Sequence, residues 1–212
     1  MQNIPVFTTE FGVASLILKE IPYTQTAYIK IQSSLSPVDL LEECVSFCRI
    51  VGAERILASG HDFLSAYPLH TQILRMERRI EPLPKTEAEP VPVTQQTLGR
   101  WLEIYNKRMS GVDNASYMSQ QDGKEMLRRG DGYFVYRNGD LIGIAVASGE
   151  KIDAVASAVP GGGKETVLAL GKILSGQRII LDVASTNLRA IRLYESLGFS
   201  QKQVLSQWYK II

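Results

Sequence analysis

Leu181-Asp182-Val183-Ala184-Ser185-Thr186-Asn187 runs directly into Leu188-Arg189-Ala190-Ile191-Arg192-Leu193-Tyr194-Glu195-Ser196-Leu197-Gly198-Phe199. The first part is an apolar run of strand character. Asn187 is placed to cap a helix, because its side-chain oxygen can accept from the free N–H groups of the first turn. Within the segment that follows, Ala190, Leu193, Tyr194 and Leu197 recur at i, i+3, i+4 and i+7, while Arg189, Arg192 and Glu195 fall elsewhere. Gly198 can take the left-handed conformation that ends a helix. The stretch therefore predicts a buried strand, an amphipathic helix and a return toward a sheet.

Working outward, the pattern predicts a helix over 95–108 with Leu98, Trp101, Leu102 and Tyr105 on one face, and a shorter one over 121–129. Gly132 to Arg137 and Leu141 to Val146 are apolar runs joined by Asn138-Gly139, the residue pair that best tolerates the positive φ angles of a tight hairpin. A third strand over 151–159, a helix over 164–174, a strand over 178–183 and a last strand over 203–211 complete the order. Asn187, Ala190, Leu193-Tyr194-Glu195 and Gly198-Phe199, in that order, resemble the end of the GNAT superfamily of N-acetyltransferases. The element order over 93–212 is the one this resemblance requires. It implies an α+β chain with a GNAT-like acyl-CoA N-acyltransferase fold in its C-terminal domain.

Composition bounds the partners. The 212 residues are 45% hydrophobic and 21% charged, with a formal net charge of +1. Such a chain can bury a substantial core, and it offers no overall field for nucleic acid or an anionic membrane. Arg75 to Arg79 reads as a solvated strand end rather than a phosphate track. Neither a signal-like start nor a long apolar span is present, so the cytosol is the expected compartment. Cys44 and Cys48 share a helical face as small buried apolar residues, and with His61 and His70 they lack zinc-site spacing, so no metal is expected.

Glu81 to Pro92 is rich in Pro and Glu and reads as an extended connector. It separates a smaller α+β N-terminal domain, 1–80, from the acetyltransferase-like domain, 93–212. The N-terminal domain carries a strand over 27–32, an amphipathic helix after Pro37 with Leu40, Leu41, Cys44, Val45 and Cys48, and a strand from Arg55. Pro37 and Pro160 each stand 18 residues before an Arg-Ile pair, at Arg55 and Arg178. That equality suggests a worn half-repeat, although any strand, helix, strand unit has about this length. No glycine cluster follows Pro37, so no second active site is expected.

The chemistry should lie after the strand ending at Val159. Val159-Pro160-Gly161-Gly162-Gly163-Lys164-Glu165-Thr166 places three glycines where a helix begins, so bare N–H groups can face an anion. A pyrophosphate cradle and a plain strand-to-helix turn are the two readings. A nucleotide-triphosphatase loop fails, because its first glycine would fall on Ala158 and Glu165 stands where Ser or Thr must bind magnesium. A dinucleotide fingerprint fails for want of its spaced glycine.

The GNAT resemblance implies acetyl-CoA as cosubstrate, held by Gly161, Gly162, Gly163 and Lys164 at the turn, by backbone amides of Ala156, Ser157 and Ala158, and by Asn187. It implies Tyr194 as the acid for the departing thiolate. The family usually opens its loop with Arg or Gln, which this sequence lacks. The base is not readable: Glu150, Asp153 and Asp182 are candidates by position, but each is read at least as well as a solvated strand-end carboxylate. The acceptor is expected to be a small-molecule or peptide amine, its site shaped by the loop from Met109 to Gly123 with Asp113, Asn114, Tyr117 and Gln120. A homodimer is an expected assembly. The competing reading is a GNAT-like module without catalysis, used for binding or assembly.

Overall fold

The computed structural model describes residues 5–79, 84–113 and 115–212, so Glu81 to Leu83 of the expected connector and Asn114 of the expected acceptor loop lie outside the described residues. In chain order the elements are β1 (Val6–Thr9), β2 (Gly12–Ile17), α1 (Ile21–Thr24), β3 (Thr26–Ser34), α2 (Pro37–Ile50) and β4 (Arg55–Ser59). A 3-10 turn over Asp62–Ala66 leads to β5 (Leu69–Arg79), then β6 (Glu89–Pro92), α3 (Leu98–Met109), α4 (Gln120–Arg129), β7 (Gly132–Arg137) and β8 (Asp140–Ser148). The remainder is β9 (Lys151–Ser157), α5 (Gly163–Leu170), β10 (Arg178–Ala184), α6 (Leu188–Ser196) and β11 (Ser200–Lys210).

These elements gather into two compact units, Met1–Ile73 with Val204–Ile212, and Leu74–Gln203. The end of β11 therefore belongs to the first unit, where Tyr209 and Lys210 pair antiparallel with Ala58 and Leu57 of β4. A domain drawn at 93–212 from sequence pattern keeps all of that strand in the second unit. The end of β5 belongs to the second unit.

In the first unit β1, β2 and β3 form an antiparallel meander. Helix α2 then crosses over to β4, which pairs parallel with β3 at five positions from Thr26↔Arg55 to Lys30↔Ser59. Pro37 starts α2 in the first turn, where its missing N–H is not needed. The core holds Leu40, Leu41, Cys44 and Cys48 of α2 against Ala27, Ile29 and Ile31 of β3. Both thiols are fully buried, and burial pushes Cys44 up to about 12 and Cys48 up to about 11. Reactive thiolate is thereby suppressed. Iodoacetamide at pH 8 is expected to leave both thiols of the folded protein unmodified over the time in which both react in guanidinium chloride. Mass spectrometry reads this directly, and prompt labelling of native protein contradicts it.

The second unit repeats that order with additions. β7, β8 and β9 form an antiparallel meander, α5 crosses over, and β10 pairs parallel with β9. The hairpin between β7 and β8 turns on Asn138 and Gly139 at φ 52° and 86°, the positive angles that the pair was expected to adopt. Part of the expected connector is a strand: Glu89 to Pro92 pair with Tyr136 to Tyr133 of β7. β6 ends the strand order, an edge position at which Pro90 and Pro92 leave no ladder donor missing.

Helices cover both faces of this sheet. On one, Trp101 and Tyr105 of α3 and Met126 of α4 pack on Phe134, Ile144, Val146 and Ala156. Trp101 is fully buried, and its indole N–H donates to the Tyr133 carbonyl at 2.9 Å. On the other, Val167, Leu168 and Leu170 of α5 meet Ala145, Ala147, Leu181 and Tyr194. Among the described residues no helix is long and apolar enough to cross a membrane.

Candidate active site

The site begins where two parallel strands part. β9 and β10 are in register at Lys151↔Ile180 and Ile152↔Leu181. Beyond Leu181 the described residues show no further pairing between Asp182–Ala184 and the rest of β9. The equivalent β3 and β4 of the first unit stay paired over five positions. The second unit alone thus leaves backbone groups of two adjacent strands facing a gap.

Alternation along β9 sorts those groups. Ala158 N–H donates to the Ile142 carbonyl at 2.9 Å, and Ala156 pairs with Ile144. Alternation sends the Ala156 and Ala158 amides toward β8 and those of Val155 and Ser157 away from it, toward the gap. Of the three residues expected to present amides to a ligand, Ser157 is so oriented. Ala156 and Ala158 are committed to the sheet.

The glycine turn follows. Gly161 sits at φ +80° with open space around its Cα, so its positive φ is the reason for glycine there. Gly162 and Gly163 are buried, and each has a packing reason. A Cβ on Gly162 would collide with the Ile142 carbonyl oxygen, and one on Gly163 would lie 2.9 Å from Ser157 Oγ and 3.2 Å from Leu193 Cδ2. The same closeness recurs at Gly143, where a Cβ would meet the buried Thr166 side chain. The first turn of α5 is therefore pressed onto the backbone of β8. Only Gly161 of the three would leave an added Cβ in open space, so the conformational cost of three glycines does not by itself argue for a ligand.

The donors expected of an anion cradle are nevertheless present. Gly162, the residue before α5, makes no side-chain cap, and Thr166 N–H is the first to bond back, to the Gly162 carbonyl at 3.0 Å. Among the described residues the amides of Gly163, Lys164 and Glu165 donate to nothing, and the Lys164 side chain is exposed. Arg137 pairs with Glu165, which offsets the one negative charge in this first turn.

Across the gap, Asn187 caps α6 as expected, its Oδ1 accepting from Ala190 N–H at 3.2 Å. Its Nδ2 has no partner among the described residues. Tyr194 stands two turns further on, 8% exposed, its ring centroid 5.8 Å from that of Phe199. Burial pushes the phenol up to about 12. Its hydroxyl makes no hydrogen bond among the described residues.

The three candidate bases are all engaged. Asp182 receives Arg75 through Nε at 2.9 Å and Nη2 at 3.1 Å, with Lys151 Nζ 3.7 Å away. Asp153 holds Lys151 at 2.7 Å, and Glu150 accepts from Gln177 N–H at 2.9 Å and from Arg178. The Gln177 amide first, and then Arg178, hold Glu150 below its ordinary value. These carboxylates tie β5, β9 and β10 together and are ion-paired rather than poised as bases.

A cleft of about 350 Å³, unread in the sequence, adjoins the end of β9. Its wall is the outer side of α3, with Arg100, Glu103, Ile104, Lys107 and Arg108; Leu141 and Ala158 complete it. Arg108 Nη2 donates to the Ala158 carbonyl, fixing that guanidinium at the head of the glycine turn.

No protein-family model matches the chain, and no curated protein matches it by sequence. Solved structures do. A conserved protein of unknown function from Staphylococcus epidermidis superposes with TM-score 0.59 at 12% identity, over 99% of this chain and 94% of its own. A GCN5-related N-acetyltransferase from Sphaerobacter thermophilus gives 0.56 at 11%, over 93% and 75%. A tandem GNAT protein from the clavulanic acid biosynthesis pathway gives 0.53 at 14%, over 94% and 78%. The chain has a GNAT-like fold, as the stretch from Leu181 to Phe199 suggested.

Proposed function

We propose that this chain is a cytosolic acetyl-CoA-dependent N-acetyltransferase, working from its second unit on a small-molecule or peptide amine. The observation that carries this reading is the parting of β9 from β10, which β3 and β4 do not share, beside the uncapped start of α5. In it, the amides of Gly163, Lys164 and Glu165 bind the pyrophosphate, helped by the helix dipole. The Ser157 amide polarises the acyl carbonyl from the edge of β9. Asn187 caps α6 through Oδ1 and donates through Nδ2 to the pantetheine arm. Tyr194 holds the proton destined for the departing sulfur. Acetyl-CoA, when bound, supplies the thioester.

The likeness to a tandem protein over 94% of this chain supports reading the first unit as a worn copy of the same fold. Its closed β3–β4 pair leaves no gap for a second cosubstrate.

Binding comes first as a test. A ligand that binds only the native state at a hundred times its Kd stabilises it by about 2.7 kcal/mol, so acetyl-CoA is expected to raise the melting temperature by several degrees. Lys164→Pro deletes one cradle amide at a first-turn position that tolerates proline, whereas Lys164→Ala deletes the charge alone. The proline variant is expected to bind acetyl-CoA about tenfold more weakly than the alanine variant at similar stability. Equal affinities reject the cradle.

A second reading, a GNAT-like module that does not catalyse, draws on the packing reasons found for Gly162 and Gly163. Acetyl-CoA binding without transfer to any amine in a broad panel would favour it.

A further inference from the structure

The outer side of α3 carries cations that no carboxylate among the described residues neutralises, although the Arg100 guanidinium lies 6.0 Å from the centroid of the Phe134 ring and Arg108 donates to the Ala158 carbonyl. Arg100, Lys107 and Arg108 line the cleft with a single carboxylate, Glu103, and among the described residues neither Arg100 nor Lys107 makes an ion pair. Along a helix they lie at i, i+3, i+7 and i+8, so the cations stand at the two ends of a strip roughly 12 Å long, with Glu103 between them. Arg108 is oriented by the Ala158 carbonyl, and the aliphatic parts of Ile104 and Leu141 complete the wall. The cleft is of small-molecule size, and its lining is net positive in a chain whose formal charge is only +1. Its floor, Ala158, is one residue from Ser157, whose amide faces the gap between β9 and β10.

We infer that this cleft is the acceptor site and that it selects amines carrying an anionic group, a carboxylate or a phosphate, over neutral or purely cationic ones. This rests on the acetyltransferase reading. The acceptor's anion pairs with Arg100 or Lys107 while its amine extends past Ala158 toward the gap. The deprotonated amine attacks the acetyl carbonyl, the bond from carbon to sulfur breaks, the thiolate takes a proton, and the amine loses one. Attraction to exposed cations is screened by salt, so the selectivity should shrink as ionic strength rises.

The test uses the full chain and matched acceptors, each amino acid against its own amide: glycine, 4-aminobutyrate, 6-aminohexanoate and glutamate, with O-phosphoethanolamine against ethanolamine. At least one anionic member is expected to exceed its neutralised partner about tenfold in kcat/KM. Arg100→Gln with Lys107→Gln should bring that ratio near one while the calorimetric Kd of acetyl-CoA stays the same. No anionic preference in any pair overturns the inference. So does an equal loss of acetyl-CoA affinity in the double variant, which would give the cleft to the cosubstrate's own phosphates. If wild-type protein neither binds acetyl-CoA nor transfers acetyl, the acetyltransferase reading fails first. Calorimetry of the same acids and amides then decides the cleft: anion-selective heats lost in the double variant keep it, and their absence removes it.

Discussion

Gly162→Val is expected to damage the fold itself, lowering stability by about 3 kcal/mol or more, at the upper end of what overpacking costs. The new Cβ would be driven into the Ile142 carbonyl oxygen, a backbone atom of the central strand β8 that cannot swing aside. Thr166 adds to the constraint, since its Oγ1 donates to the Gly162 carbonyl at 2.7 Å while its side chain fills the space above Gly143. Thermal or urea unfolding reads the effect. Wild-type stability in this variant would show that α5 can lift from β8. Gly161→Ala is the milder change, because open space surrounds it and the penalty is that of a left-handed residue, on the order of 1–2 kcal/mol. Loss of acetyl-CoA binding in the valine variant therefore says nothing about anion contacts.

Tyr194→Phe is expected to reduce turnover on the order of 10²-fold with little change in stability or in acetyl-CoA affinity. The ring is part of the core and phenylalanine keeps it, while the hydroxyl has no hydrogen bond among the described residues whose loss would unsettle the fold. Burial raises the phenol from its ordinary 10.0 to about 12, so the group enters any catalytic cycle protonated. The sign for stability follows. The neutral buried phenol supports the fold fully below pH 10, and that support is lost as pH rises toward 12. Wild-type turnover in the variant, under conditions where chemistry limits the rate, would leave Tyr194 a core residue and move the acid to another group or to water.

The legible parts of this chain were those set by short-range rules. Asn187 capping α6, Gly198 at φ +83°, the Asn138-Gly139 turn and the face of α3 all follow from residues within one or two turns of one another. What stayed hidden depends on partners far away in sequence. Pro90 and Pro92 argued against a strand, yet an edge position next to β7 accommodates them. The glycine run looked like ligand chemistry because the carbonyl that demands Gly162 belongs to Ile142, across the sheet. Asp182 and Glu150 looked available as bases until Arg75, Gln177 and Arg178 came to meet them. The basic cleft was unreadable for the opposite reason. Its charges lie on the solvent side of an ordinary amphipathic helix, and only the approach of Ala158 and Leu141 turns that side into a wall.

The assignment of Val204–Ile212 to the first unit bears on how the protein is made. A ribosome delivers residues in order, so the early unit must wait, lacking the strand that pairs with Leu57 and Ala58, until the whole of Leu74–Gln203 has been synthesised. The later unit has all of its own residues sooner and can mature ahead of the segment that precedes it. Closing so long a loop slows the early unit's completion and leaves β4 exposed in the interim, a period in which chaperones or stray strands can reach it.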